Sequence, residues 1–196
     1  MDILHEEKLY LSKGKLVFFA DKLKLLGRII DKNGIWMDPE KVDQVLAWKT
    51  PTNRDLLQGF IGSVGFLADD IPNVQNPLGI LSAITGDKVP FCWGNTEQRA
   101  FDDAKHLAHE AWKHSRRPIN YEKDAPPIWM VTDRCSTGIA GVVSQGNDWK
   151  NAYVAAFYSA KLNNTQRNYP THEIEMLAGV ETMLWHKDIL QEVHFN

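Results

Sequence analysis

A change of apolar period part-way along the chain constrains its fold most. Between Asn53 and Trp112 the apolar residues recur at helical spacing: Leu56, Leu57, Phe60, Ile61, Val64 and Leu67, then Ala100, Phe101, Ala104, Leu107 and Ala108. After Asp124-Ala125-Pro126-Pro127 the pattern becomes short apolar runs, at 128–132, 138–144 and 153–159. Such a switch predicts a helical module followed by a strand-rich one. A chain of 196 residues has room for both, since domains run ~100–200 residues.

The first module opens with β structure. Residues 8–19 alternate loosely and end in Leu16-Val17-Phe18-Phe19. Residues 23–37 read as a hairpin, with Leu23, Leu25, Leu26, Ile29 and Ile30 apolar and Asp31-Lys32-Asn33-Gly34 as the turn. Asp38 caps a helix that has Pro39 at its first position and ends near Trp48. Asn53 caps a second helix, Pro72 and Pro77 mark a loop, and a third helix runs over 96–112. Composition shifts at Arg116-Arg117-Pro118, read as a solvated linker, so the modules divide as 1–115 and 116–196. In the second module three strands lead to a long helix from Thr171, with Ile174, Leu177, Ala178, Val180, Met183 and Leu184 as its stripe. Val193-His194-Phe195-Asn196 reads as the start of another strand. The expected class is α+β: a hairpin with a small helical bundle, then three strands and a helix.

Composition narrows the function classes. A hydrophobic fraction of 43% suits a packed core and excludes wholesale disorder. No apolar run approaches the roughly 18 residues of a membrane span, so no membrane partner is expected. The acidic start Met1-Asp2-Ile3-Leu4-His5-Glu6-Glu7 carries no secretory signal, and Cys92 and Cys135 stand far apart, as thiols of a reducing compartment do. The expected location is intracellular, cytoplasmic or nuclear. A net charge of −3 counts against a chain that lives by gripping phosphates. His106 and His109 stand at i, i+3 near Glu110 and His114, but no second segment supplies further ligands, and a polar helix face is expected. Trp149, in the turn after Gly146-Asn147-Asp148, is expected to be exposed.

Many short motifs in one order then resemble a family. Leu26-Gly27-Arg28-Ile29-Ile30, Gly34-Ile35 and Asp38-Pro39-Glu40-Lys41-Val42 resemble the end of the palm and the primer-grip hairpin of gypsy-type retrotransposon reverse transcriptases. Trp48-Lys49-Thr50-Pro51-Thr52-Asn53 and Phe60-Ile61-Gly62 are similar to the opening of their thumb, and Ile71-Pro72-Asn73, Pro77-Leu78, Trp93, Gln98, Ala100-Phe101 and Lys105 continue it. Thr132-Asp133, Gly138-Ile139, Gly141-Val142-Val143-Ser144-Gln145, Tyr158-Ser159, Asn168-Tyr169, Glu173, Glu175 and Leu177-Ala178 resemble the front half of the attached ribonuclease H domain. Leu67-Ala68-Asp69-Asp70 is no polymerase motif, because it ends an amphipathic helix and has no flanking strands.

The resemblance implies a chemistry. In the intact family two Mg²⁺ ions, held by about four acidic side chains, promote attack of water on the RNA strand of an RNA–DNA hybrid. It assigns Asp133 and Glu175 as the first two catalytic and metal-holding carboxylates. Glu173 lies two residues from Glu175, roughly 200° around the helix, and cannot share its ion. The third and fourth carboxylates of the family would follow Asn196, so this chain is expected to be catalytically inactive by itself. Lys22, Lys24 and Arg28 on the hairpin would touch nucleic acid, or serve as ordinary strand-surface cations. Two departures stand out. Arg134-Cys135 replaces a small pair after the first Asp, so that Arg134 is placed to pair with Asp133 or crowd an ion. Asp69-Asp70 replaces a basic pair, where it is expected to repel phosphates. The alternative to a polyprotein segment is a non-catalytic module that binds protein, or forms a homodimer through an open strand edge at 128–132.

Overall fold

The computed structural model describes residues 16–135 and 138–191, with residues 6–8, 10, 12 and 14 before them. The strand start expected at Val193-His194-Phe195-Asn196 and part of the alternating stretch 8–19 lie outside the described residues. Leu16, Val17, Phe18 and Phe19 are described, exposed and in no strand.

Residues 22–37 form three antiparallel strands rather than one hairpin: β1 (Lys22–Leu25), β2 (Arg28–Asp31) and β3 (Gly34–Met37), in that order. The extra turn is Leu26-Gly27, with φ of 49° and 70°. Two consecutive positive φ values make a tight hairpin turn, and leucine is a rare occupant of the first. The predicted turn follows, organised by Asp31, whose carboxylate accepts from the Asn33 and Gly34 amides at 2.8 and 3.2 Å and from Trp36 Nε1 at 3.1 Å.

The helices follow their caps. Asp38 precedes α1 (Pro39–Leu46) and accepts from the Glu40 amide. Asn53 precedes α2 (Arg54–Phe66) and accepts from the Leu56 amide at 2.9 Å. Leu56 itself is exposed, so the inward face of α2 is Leu57, Phe60 and Val64, continued by Leu67. A short 3₁₀ turn, Ala68–Asp70, leads through a loop at 71–74, as expected around Pro72, to α3 (Gln75–Ser82), which takes in Pro77. Pro77 stands in the first turn of α3, where a backbone N–H has no helical acceptor and a proline costs nothing. The helix α4 (Asn95–Ala111) crosses the bundle, and Phe60, Phe101, Trp48 and Trp93 meet through ring contacts of 4.5–5.9 Å between centroids.

The second module is another antiparallel meander, β4 (Ile128–Arg134), β5 (Gly138–Gln145) and β6 (Tyr153–Lys161), with α5 (Thr171–Trp185) and the short α6 (Lys187–Leu190) packed on one face. Ile174, Ala178 and Thr182 are the buried side of α5. Gly141 is required here: a Cβ at that position would stand 2.1 Å from Thr182 Oγ1, which donates to the Ala178 carbonyl. Gln145 is buried and fully bonded, donating to the Asn120 and Pro126 carbonyls and accepting from the Asn120 amide and the Tyr153 hydroxyl. It pins the segment entering β4 onto the sheet. Trp149 is half exposed in its turn. Among the described residues β4 has a strand partner on one side only, and no helix is long and apolar enough to cross a membrane.

The two modules bury separate apolar clusters. One runs from Met37 to Ala111, and the others lie within 119–190. Forcing a methyl into the Gly141–Thr182 contact tests the packing of α5. Gly141→Ala is expected to lower stability by about 1–3 kcal/mol, and adding Thr182→Ala to recover much of that loss. Thermal unfolding of the single and double variants measures both.

Candidate functional site

Residue pairing decides where Asp133 points. Thr132 pairs with Gly141 and Arg134 with Ile139. Both pairs look toward α5, because Gly141 abuts Thr182 and Ile139 packs with Ile174 and Ala178. Asp133 pairs with Ala140, one residue out of phase, so strand alternation turns its side chain to the opposite face of the sheet. There it borders a cleft of about 160 Å³ with Asn73, Asn76, Cys135 and Gly138. Its carboxylate accepts from the Arg134 backbone amide at 2.8 Å. The Arg134 side chain does not pair with that carboxylate. It crosses to α5 and donates to Thr171 Oγ1 at 3.0 Å.

Glu175 and Glu173 are exposed on α5, over the other face of the sheet. Strand alternation therefore puts Asp133 and the helix that bears Glu175 on opposite faces of the sheet. A two-ion site needs several carboxylate oxygens converging on one centre. Among the described residues no group of three or more His, Cys, Asp or Glu side chains is placed to hold a metal, His106, His109 and Glu110 included. The described residues do not by themselves form a site for the Mg²⁺ pair that the resemblance implies. Glu110 is held below the usual carboxylate range by its hydrogen bond from Lys113, with Lys113, His106 and His109 adding charge attraction.

The three hairpin cations have different surroundings. Lys24 Nζ stands 2.8 Å from Asp38 Oδ2 and 2.7 Å from Glu40 Oε2, and the Asp38 and Glu40 hydrogen bonds raise its pKa. Arg28 Nε donates to Asp70 Oδ2 at 2.8 Å. Lys22 is exposed and lines a cleft of about 410 Å³ with Trp36, Trp112 and Lys113. Sequence spacing held no signal for that cleft, which joins the first sheet to the end of α4.

Asp70 corrects a further expectation. It is not a surface anion: it is buried, and Arg28 and Arg116 both donate to it. Nor are Arg116 and Arg117 a solvated linker. Arg116 forms a two-bond backbone bridge with Ile35, and the Arg117 amide donates to the Val154 carbonyl at 2.9 Å.

Residues 93–196 match the RNase H-like domain found in reverse transcriptase. The chain belongs to that family. The RNase H-like domain and the helices before it are also 29% identical, over 185 residues, to the Tf2-3 and Tf2-4 transposon polyproteins of Schizosaccharomyces pombe (strain 972 / ATCC 24843). That match covers 93% of this chain and 14% of each polyprotein, so the chain spans about a seventh of those relatives. The fold is shared with a foamy viral protease-reverse transcriptase in complex with RNA/DNA hybrid, at a TM-score of 0.68 and 17% identity over 93% of this chain and 24% of that one. A second foamy viral protease-reverse transcriptase structure, designated dRH and in complex with double-stranded DNA, gives a TM-score of 0.71 at 15% identity, over 89% of this chain and 30% of that one.

The Lys24–Asp38 pair beside α1 carries a pH dependence. The hydrogen bond from Lys24, then that from the Glu40 amide, holds the Asp38 carboxyl below its ordinary value. A carboxyl lowered in the folded state stabilises above its unfolded pKa of about 4, and that contribution is lost as pH falls through the folded value. Asp38→Asn should remove this part of the acid limb, so that wild type and variant converge in stability at low pH. Urea unfolding between pH 2 and 7 measures the difference.

Proposed function

We propose that this chain is the thumb and adjoining ribonuclease H-like part of a retroelement reverse transcriptase, and that in this form it holds an RNA–DNA template–primer without cutting it. The observation that carries the second half is the phase of β4: Asp133 lies on the sheet face away from the helix that bears Glu175. The first half is supported by the RNase H-like family match, the collinear Tf2 polyprotein relatives and the fold shared with reverse transcriptases solved on DNA and RNA/DNA hybrid. Lys22, beside Trp36 and Trp112, offers an ammonium and indole faces of the kind that take phosphate and base.

A labelled RNA–DNA hybrid with Mg²⁺ or Mn²⁺ tests both halves in one mixture. The chain is expected to retard the hybrid in a salt-dependent way and to leave its RNA strand intact. RNA cleavage that disappears on Asp133→Asn would overturn the inactive reading, and failure to retard the hybrid at low salt would overturn the binding reading.

A second reading, self-association, rests on a separate observation. Met176, Val180 and Leu184 recur every fourth residue on the outer side of α5 and are 70%, 43% and 62% exposed. β4 adds a strand edge with no partner among the described residues. Helices apolar on two sides are normally covered on both. Sedimentation across a wide concentration range should show a monomer–dimer equilibrium, weakened by Met176→Glu with Leu184→Glu. A strictly monomeric profile rejects this reading.

A further inference from the structure

The two modules meet through charge rather than through a shared core. Asp70, at the end of the 3₁₀ turn, accepts Arg28 Nε from β2 at 2.8 Å and Arg116 Nε at 2.5 Å. Arg116 spans the junction with three groups. Its side chain also donates from Nη1 to the Ala155 carbonyl of β6 at 3.2 Å. Its backbone N–H and C=O bond Ile35 of β3 at 2.9 and 2.7 Å. Arg117 adds a donor to the Asn33 carbonyl at 3.1 Å.

Two open clefts flank this group. One, of about 330 Å³, is lined by Ile35, Asp69, Ile119, Ala156, Trp185 and His186 among others. The other, of about 360 Å³, is lined by Pro72, Leu107, His114, Val154 and Phe157 among others. No buried apolar cluster contains residues of both modules. Apolar burial therefore adds little to the contact, and the charged group is its centre. Away from it the side-chain ties are Lys161 Nζ to the Gly79 carbonyl at 2.9 Å and Cys135 Sγ to Asn76 Oδ1 at 3.7 Å, both onto α3.

We propose that Arg28, Asp70 and Arg116 form a latch between the helical module and the second sheet with its helices, and that releasing it lets the two rotate against each other while each keeps its own fold. The latch is independent of any nucleic acid. Its carboxylate is supplied by the Asp69-Asp70 pair that otherwise reads as two stray surface anions.

Amide hydrogen exchange on the full chain tests the latch, with Asp70→Asn and Arg116→Lys as opening variants and Asp69→Asn as control. Asp69 is exposed and its ion pair with Arg28, at 3.6 Å, is longer than either Asp70 bond, so its neutralisation should leave exchange unchanged. In each opening variant the Ile35 and Arg116 amides, which bond across the junction, should exchange at least tenfold faster. Amides of Leu57–Val64 and of the middle of β5 should stay within twofold. Arg116→Lys keeps the charge but cannot serve Asp70 and Ala155 together, so it decides the matter if Asp70→Asn does not fold. Should that variant fail as well, the wild type in sub-denaturing urea decides, since the junction amides must then open before either core. Uniform acceleration of both cores, or junction amides that do not respond, would overturn the latch.

Discussion

A buried carboxylate between two guanidinium groups sets the arrangement of this chain. Asp70 is buried, and removing one partner from a buried ion pair costs about 3–5 kcal/mol. Its partners come from a strand before it and a segment well after it, so the charge requirement joins parts that apolar packing leaves apart. The placement of Ile35 against Arg116, and of β6 beside the 3₁₀ turn, follows from satisfying that one side chain.

The caps and the periodic helices were legible in the sequence because their causes are local. Asp38 and Asn53 bond amides two and three residues on, and Phe101, Ala104 and Ala108 repeat at helical spacing. The Leu26-Gly27 turn was hidden because its first residue is no turn former. The helix α3 was hidden because Pro72 and Pro77 signal a break, though only a proline beyond the first turn enforces one. Asp70 misled for a different reason: its nature depends on Arg116, which no local window contains.

The carboxylate pair shows where a motif stops being informative. The resemblance assigns Asp133 and Glu175 to a two-metal site, yet a strand has two faces and the motif does not name one. Pairing register names it, through Thr132 with Gly141 and Arg134 with Ile139, and sends Asp133 toward Asn73 and Asn76. A fold of the reverse-transcriptase RNase H-like family thus shows its kinship in order and spacing, which carry no information on the face a strand residue takes.

Gly34 ties the history of one module to the other. A side chain there would place its first carbon 2.3 Å from the Arg116 carbonyl oxygen, and the backbone holds φ at 145°. The position cannot drift to another residue while Arg116 keeps its bridge to Ile35. Chimaeras assembled from related elements inherit this restriction. A parent that donates residues 1–115 must bring a glycine matched to the incoming arginine, so the two modules pass between lineages more readily as a pair than singly.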